Sequence, residues 1–551
     1  MISLSRGDLY RTLLDLAAIP SVSFSGGENG AADYIYSRLA ELDYFQRNPS
    51  FLRKLPAEGD PLGRCAVAAL VKTSPEMKRT VILTGHFDVV DAEAYGPLKH
   101  LAFSPEELTR LVGELEIPDE ARADLATGEY LFGRGVSDMK SGIAVEMGLL
   151  AEISRTGDFP ANVLFLAVPD EENTSAGMRG AIPWLVKLRE EWGIEYSAAL
   201  NGEPSVGGRE RPAGTVYVGT IGKIMPFFLC VGKEAHVGDY FEGVSASLLT
   251  ACLALVLEGA ASTSEEREGK SFPPMACLRF RDLVKNYSVT LPERAVAYYN
   301  LLTVEKTPAG VLGEMKSAAG EALKNALGRI SEQRGLIESR GGSSPAALRF
   351  SPQVMDYAEL QARARNRNPD LEELTERFLR SLPPSLDERE RCVETASYLL
   401  DLAGEKGPLI VTGFLPPYYP PRLNSGKTGG EHAVLRAAAR LREDGKAFGM
   451  DITVGDVFHG IMDLSYFGFQ GAPGDLDALR DNMPLWGKEY RFPLDDLKKI
   501  DIPVANFGPV GKDDHKNGER IHLPYFLDIF PGLFRNFARY LAEEAGKAAA
   551  D

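Results

Sequence analysis

Five residues with metal-binding side chains stand where a strand-like segment ends or a helix begins. They are His86, Asp138, Glu172, Glu203 and His515. The chain has only 7 histidines, so two at such points carry weight. Two imidazoles and three carboxylates suit a pair of zinc-like ions, with one carboxylate bridging and each ion keeping a position for water. The sequence therefore predicts a metal-assisted hydrolytic centre.

Two neighbouring acidic residues fit the same chemistry. In an extended segment, positions i and i+2 point to the same side, so Asp88 can accept from one nitrogen of His86 and leave the other for a metal. Glu171 directly precedes Glu172, and adjacent carboxylates at a strand end repel unless solvent or cations neutralise them. One glutamate can hold a metal while the other moves protons.

Each of these signals, taken alone, has an ordinary structural explanation. A His-x-Asp pair can be a buried histidine with a local hydrogen bond. Asp138, just before a helix, can be a helix cap. The triplet Asp170, Glu171 and Glu172 can be a solvated acidic loop. Only the repetition of such residues at several strand ends favours a metal-binding catalytic site.

The elements that must position these residues are alternating strands and helices. Short apolar runs occur at CAVAALVK (65–72), RTVILTGH (79–86), NVLFLAVP (162–169) and YSAALNG (196–202). Helical patterns lie between them. This alternation predicts an α/β fold with a mixed, mostly parallel sheet and helices on both faces. Such sheets bind ligands at the carboxyl ends of their strands.

The pattern changes to α+β near Gly214 and returns to alternating strands and helices in the last third of the chain. PLIVTGF (408–414) is assigned to this returning part. We therefore expect a catalytic domain formed by residues 1–213 and 401–551, interrupted by an inserted domain over 214–400. The insertion includes a polar helical extension whose end falls between 350 and 405.

Composition limits the class of protein. The 61 basic and 78 acidic residues give a net charge of −17, which disfavours a nucleic-acid partner. Apolar residues make up 44% of the chain, as in globular proteins. The 5 cysteines form no Cys-x-x-Cys pair. Neither a leader nor a membrane-spanning run is apparent, so a cytoplasmic protein without a membrane partner is expected.

The ordered motifs HFDVV, GRGVSDMKSG, PDEEN and NGEPS, followed by His515 and Glu519, resemble those of the di-zinc aminoacylase, glutamate carboxypeptidase and peptidase T-like metallopeptidase family. The resemblance covers most of the α/β part. Length and long insertions are most similar to the arginine-utilisation branch, the RocB-type proteins. The resemblance implies a zinc-peptidase-like catalytic domain and an inserted lid or dimerisation domain, and hence a homodimer.

The resemblance also implies roles. His86, Asp138 and Glu203 would hold one zinc ion, and Asp138, Glu172 and His515 the other. Glu171 would be the general base acting on a zinc-bound water, and Asp88 would orient His86. His236, in VGKEAHVGDYFEG, would stabilise the oxyanion, and Asp463, in MDLSYFG, would lie in a loop that contacts substrate. The implied reaction is hydrolysis of amide or peptide C–N bonds in a small peptide or N-acyl amino acid. The RocB-type likeness implies an arginine-related substrate.

The chain departs from this family at one feature. Many members carry an asparagine and an arginine that bind the substrate carboxylate. An approximate alignment places Val289 and Leu302 at those positions. The departure puts a carboxypeptidase-like specificity in doubt, but not the metal chemistry.

Two other functions fit parts of the sequence. Ser137 and Lys140 form a Ser-x-x-Lys, and Lys427-Thr428-Gly429 follows, as in penicillin-recognising serine hydrolases. That interpretation leaves the histidines and glutamates at strand ends unexplained. Alternatively, the chain is a binding or regulatory protein that retains the metallopeptidase fold with an altered lid.

Overall fold

The computed structural model describes residues 2–206, 214–267, 269–341, 351–458 and 460–549. The described chain forms two compact units. Unit 1 comprises Met1–Ile221, Pro421–Gln470 and Pro493–Asp551, and unit 2 comprises Gly222–Pro420 and Gly471–Phe492. The expected boundary at 213 lies outside the described residues.

The first part of unit 1 alternates helices and strands. In chain order its elements are α1 (Arg6–Ala17), α2 (Gly27–Ala40), α3 (Asp43–Arg47), β1 (Leu52–Pro56), β2 (Cys65–Val71), β3 (Arg79–His86), α4 (Pro105–Leu111), α5 (Asp119–Thr127), β4 (Tyr130–Phe132), α6 (Lys140–Thr156), β5 (Asn162–Val168), α7 (Ala176–Glu191), β6 (Glu195–Asn201), β7 (Ser205–Val206), β8 (Thr215–Tyr217) and β9 (Gly219–Thr220).

Unit 2 begins at the next strand. Its elements up to Pro420 are β10 (Gly222–Val231), α8 (Ala246–Leu257), β11 (Glu266–Arg267), β12 (Lys270–Ser271), β13 (Ala276–Asp282), β14 (Arg294–Thr303), α9 (Pro308–Ser339), β15 (Gln353–Asp356), α10 (Tyr357–Arg367), α11 (Leu371–Ser381), α12 (Glu388–Ala403) and β16 (Leu409–Tyr419).

The remaining elements belong to unit 1, except α14, which belongs to unit 2. They are β17 (Arg422–Leu423), α13 (Gly429–Ala447), β18 (Thr453–Gly455), α14 (Asp477–Asn482), α15 (Leu494–Ile500), β19 (Val504–Asn506), β20 (Val510–Lys512), β21 (Arg520–His522) and α16 (Phe530–Ala548). No helix among the described residues combines the length and apolarity needed to cross a membrane.

Unit 1 contains an eight-stranded sheet in the order β1-β2-β5-β3-β6-β19-β8-β18. Strand β3 pairs in parallel with β5 and β6, and β6 pairs in parallel with β19. All seven residues of β5 are buried, as are seven of the eight in β3, which is typical of parallel strands covered on both faces. The core packs α1, α2, α6, α13 and α16 against this sheet. The expected α/β class is confirmed.

Unit 2 contains a five-stranded sheet in the order β13-β14-β10-β16-β15. The run 408–414, expected to belong to the catalytic part, lies in this sheet, where β16 pairs antiparallel with β10. The apolar pattern correctly indicated a strand, but it carries no information on the pairing partner. Consequently unit 2 extends to Pro420 and also takes in Gly471–Phe492, beyond the expected end at 400.

Candidate metal centre

His86 is the last residue of β3, and its imidazole is 1% exposed. Its Nδ1 lies 3.1 Å from the backbone oxygen of Asp88. A proton on Nδ1 would donate to that oxygen and leave the Nε2 lone pair available to a cation. Nε2 lies 3.0 Å from Asp138 Oδ1 and 3.5 Å from Glu203 Oε1.

Asp138 lies between the two histidines. Its Oδ1 faces His86, and its Oδ2 is 3.1 Å from Nε2 of His515. The same His515 nitrogen is 3.0 Å from Oε1 of Glu172. His515 is half-exposed and has a φ of 67°, a left-handed conformation that a non-glycine residue adopts at a cost. The five predicted ligands therefore converge in unit 1.

The donor atoms form two triads that share Asp138. One triad is His86, Asp138 and Glu203, the other is Asp138, Glu172 and His515, and within each the ligand atoms lie within 4.8 Å of one another. Three largely buried carboxylates that face one another repel unless positive charge lies between them. Imidazole nitrogen and carboxylate oxygen are the ligands that zinc-like ions take. The donor set thus fits two divalent cations.

Without a cation, the protonation of the site is strongly perturbed. Burial, helped by Asp138, raises the pKa of Glu203 to about 8. Hydrogen bonds to Asp138 and Glu172 raise the pKa of His515 to about 11. Burial raises the pKa of Glu172, whereas the two histidines hold the pKa of Asp138 below its ordinary value despite burial. A cation bound at this site would therefore displace protons from Glu203 and His515.

Asp88 supports the neighbouring loop as well as His86. Its Oδ1 accepts from the backbone N–H of Glu171 at 3.0 Å, and its Oδ2 from that of Glu172 at 3.2 Å and from the Ser23 hydroxyl at 2.6 Å. The Asp88 carboxylate lies 3.5 Å from His86 Nδ1, farther than its own backbone oxygen. The Asp88 carboxylate therefore holds the backbone of Glu171 and Glu172 in place close to the His86 imidazole.

Glu171 lies at the edge of the ligand cluster. Its side chain is 8% exposed, and Oε2 is 4.0 Å from His86 Nε2. Burial raises the pKa of Glu171 well above its ordinary value, and the charge on Asp463 adds to the rise. Burial thus favours the protonated form of this carboxyl group.

Asp463 is buried in unit 1, at the start of the short helical turn Asp463–Tyr466. Burial raises its pKa to about 7, although a hydrogen bond with Ser175 opposes the rise. The expected contact with substrate stays a prediction. The structure places Asp463 close enough to influence the charge of Glu171.

His236 lies in unit 2, on an exposed loop between β10 and α8. Its Nδ1 accepts from the Gly238 N–H at 3.1 Å, and its backbone forms a bridge with Thr290. Val289, one of the two positions aligned with the family's carboxylate-binding residues, accepts from the Val237 N–H at 3.1 Å. The oxyanion role of His236 stays a prediction.

Sequence reasoning missed the residues that hold the ligands through backbone contacts. The Asn506 side chain accepts from the Glu203 N–H and donates to the Glu203 oxygen, both at 3.0 Å. Glu519, noted only for its place after His515, accepts from the Gly135 N–H at 2.7 Å and forms a buried ion pair with Arg134. Arg134 also donates to the His515 oxygen at 3.3 Å. The sequence offered one indication of this support, namely the polar residue Asn506 at the end of the apolar strand β19.

Ser137 and Lys140 are not arranged as the nucleophile and base of a serine hydrolase. Ser137 is 0% exposed, so its hydroxyl does not face solvent. The Lys140 ammonium donates to the backbone oxygens of Leu16 at 3.0 Å and Ile19 at 2.8 Å. Ser137 is therefore buried, and the Lys140 ammonium is already hydrogen-bonded within unit 1.

Comparisons with known proteins relate the chain to a family of peptidases. A model of peptidase family M20/M25/M40 matches residues 82–474. The uncharacterized protein YqjN of Bacillus subtilis is 32% identical over 96% of this chain and 95% of that protein. Protein RocB of the same organism is 29% identical over 96% of this chain and 94% of that protein. A succinyl-diaminopimelate desuccinylase of Wolbachia pipientis is 26% identical over 41% of this chain and 51% of that protein.

Two solved structures share the fold. A tripeptidase from Staphylococcus aureus has a TM-score of 0.51 at 14% identity, covering 98% of this chain and 99% of that chain. An M20 family metallo-carboxypeptidase from Sulfolobus solfataricus has a TM-score of 0.53 at 12% identity, with the same coverage. At these identities the likeness concerns the fold.

Proposed function

The chain belongs to peptidase family M20/M25/M40, and from that membership we propose that it hydrolyses amide or peptide C–N bonds with two bound divalent cations. The observation that carries this proposal is the pair of ligand triads sharing Asp138. His515 lies outside the stretch matched by the family model, yet its imidazole completes the second triad. We propose zinc as the metal because the donors are imidazole nitrogens and carboxylate oxygens.

Cations bound there would supply Lewis-acid activation of a water molecule and of the substrate carbonyl. The protein's own side chains orient the metal-binding and catalytic groups and transfer protons. Asp88 holds the backbone of Glu171 and Glu172, and the Asp88 oxygen fixes the tautomer of His86. Glu171 accepts a proton from the attacking water and delivers it to the leaving amine nitrogen. Such assistance supplies roughly 10²–10⁴-fold in rate.

The proposed substrate is a small peptide or an N-acyl amino acid, with an arginine-related compound as the first to test. Support comes from the 29% identity to protein RocB over nearly the whole chain and from the partial match to a desuccinylase. We further propose that His236 stabilises the developing oxyanion and that Asp463 contributes to the substrate site. In the approximate alignment, Val289 and Leu302 stand where many family members have the asparagine and arginine that bind the substrate carboxylate. We therefore propose that the substrate carboxylate, where present, is not bound at these two positions.

The decisive variant is Glu171→Gln. It keeps the size of the side chain but removes the base, so hydrolysis should fall by at least about 10²-fold while both metals stay bound. Hydrolysis of a panel of dipeptides and N-acyl amino acids, together with elemental analysis, measures both properties. Glu172→Gln is the matched control, since the same change one residue later should instead lower the metal content.

Two results would contradict the assignment. An active Glu171→Gln protein would remove the base from the mechanism. A wild-type protein that binds metal but cleaves no member of the panel would favour the binding or regulatory alternative.

We also propose a homodimer formed through unit 2. Strand β13 is the edge of its sheet and exposes Leu278 (52%) and Phe280 (46%), while Leu255 on α8 is 88% exposed. An edge strand with apolar side chains pairs readily with a second copy. Phe280→Glu should shift the wild-type dimer to monomer in sedimentation velocity. Phe448→Glu, an exposed apolar position in unit 1, should not; a wild-type monomer would refute the proposal.

A further inference from the structure

The helical extension of unit 2 has no part in the proposed reaction, yet it forms one wall of a cavity of about 390 Å³. Helices α11 and α12 supply this wall, and the segment 283–294, between β13 and β14, supplies the facing one. We call this cavity the helical cleft. Its volume lies within the range of small-molecule sites, about 300–1,000 Å³.

One face of α12 lines the helical cleft. The lining residues Glu394, Ser397, Tyr398 and Asp401 are spaced i, i+3, i+4 and i+7, so they form a continuous stripe along the helix. Such a stripe on a partly exposed helix is ordinarily apolar and packed against another element. Here it carries two carboxylates, a hydroxyl and a phenol, and it lines the cleft, where Ser397 and Asp401 contact Arg294.

An aromatic surface lies within the helical cleft. The rings of Phe378, on α11, and Tyr398 are stacked with centroids 4.2 Å apart and an interplanar angle of 6°. Both residues are only partly buried and both line the cleft. The face of an aromatic ring attracts cations, and Arg or Lys groups on ligands use such faces.

The charges around the helical cleft do not balance. Arg294 is already paired with Asp401 and donates to the Ser397 hydroxyl at 2.7 Å. The carboxylates of Glu234, Glu293 and Glu394 also line the cleft. Within the described ranges, no ion pair or side-chain hydrogen bond engages these three groups or the Lys285 ammonium. Three unpaired anions against one unpaired cation leave an excess of negative charge.

We propose that the helical cleft is a second ligand site that binds a small organic cation, a guanidinium or primary amine compound, through Glu394 and the Phe378–Tyr398 stack. This site is separate from the metal ligands, all of which belong to unit 1. It therefore does not depend on the proposed hydrolysis.

The same cavity touches the segment that carries His236. Glu234 lines the cleft two residues before His236, and Ala235 accepts from the Leu291 N–H at 2.9 Å. Leu291 is itself a lining residue, and Thr290 forms the bridge to His236. An occupant of the cleft is thus in position to order the His236 loop.

Agmatine, which carries a guanidinium and an amine but no carboxylate, is the probe. Isothermal titration of the full-length protein should show one agmatine per chain, with equal affinity in zinc-loaded and chelator-treated protein. Succinate, an anion of similar length, should not bind the chelator-treated protein, in which no metal is available to its carboxylates. Glu394→Gln and Tyr398→Leu should each weaken agmatine binding at least tenfold, and Glu376→Gln, an exposed α11 residue outside the cleft, should leave it unchanged.

Hydrogen exchange locates the site independently of activity. Agmatine should slow exchange over 283–294, 394–401 and the His236 loop. Absence of agmatine binding, equal binding of succinate, or unchanged affinity in both cleft variants would overturn the proposal. Binding that requires zinc would place agmatine at the metal centre and would also overturn it, while the proposed hydrolysis would stand.

Discussion

His515 is the residue on which the proposed second metal site depends most directly. Its Nε2 contacts Asp138 and Glu172 at 3.1 Å and 3.0 Å, and it is the only imidazole of that triad. His515→Ala should therefore reduce the metal content from two ions per chain to one and remove most activity. Loss of a partner that only supports a ligand already costs about 10–100-fold in affinity, so loss of the ligand should cost more.

Elemental analysis after gel filtration checks this expectation. His100→Ala is the control, because His100 is an exposed histidine of unit 1 outside both triads. A His515→Ala protein that retains two metals would show that the ligand assignment is wrong.

Residue type and position were enough to predict which donor side chains come together, but not the residues that support them. Each ligand follows a strand or opens a helix, and parallel strands bring such points to one edge of the sheet. Asn506 and Glu519 act through the backbone of other residues, so nothing in their own spacing identifies a partner about 300 or more positions away. Contacts of that kind depend on the fold and become visible only in it.

At the scale of elements, the close approach of α6 to the end of β6 sets the position of Glu203. A Cβ at Gly142 would lie 2.3 Å from the Gly202 oxygen, so only glycine permits this packing. Gly142→Ala should destabilise the protein by about 1–3 kcal/mol through overpacking and should weaken metal binding, since the turn before Glu203 must move.

Chemical denaturation and metal titration measure the two effects. Gly320→Ala is the matched control: nothing lies within 4 Å of a Cβ at that position in α9, and the change should stabilise the helix by about 0.5–1 kcal/mol. A neutral Gly142→Ala would mean that the close approach does not position Glu203.

The elements also show where sequence patterns stop being informative. Buried runs such as β3 and β5 were recognisable because near-continuous apolar runs are typical of the strands of parallel sheets. β16 has the same pattern, with all eleven residues buried, but it pairs with β10 in unit 2. Its partner lies about 185 positions earlier in the chain, and local composition does not encode such a pairing.

At the scale of the molecule, the acidic centre links metal binding, stability and pH. In the metal-free protein the pKa of Glu203 is about 8 and that of His515 about 11, both above their unfolded values. A group with a raised pKa binds its proton more tightly in the folded state. Between about pH 5 and pH 9 the unfolded chain releases these protons while the folded protein keeps them to a higher pH, so raising the pH lowers the stability of the metal-free protein.

Bound metal ions would remove this fall because they take the place of the protons. Ligands must be deprotonated to bind, so affinity, and with it the stabilisation of the folded state, rises with pH. At a free metal concentration of 100 times the dissociation constant, a bound ion stabilises the folded state by about 2.7 kcal/mol.

The melting temperature of chelator-treated protein should therefore fall between pH 6 and pH 8.5. The difference in melting temperature between zinc-loaded and metal-free protein should widen over the same range. Glu203→Gln, which removes one of the titrating groups and one ligand, should reduce both the fall and the widening; a difference that is constant with pH would show that the buried carboxylates and imidazoles are not where the metals bind.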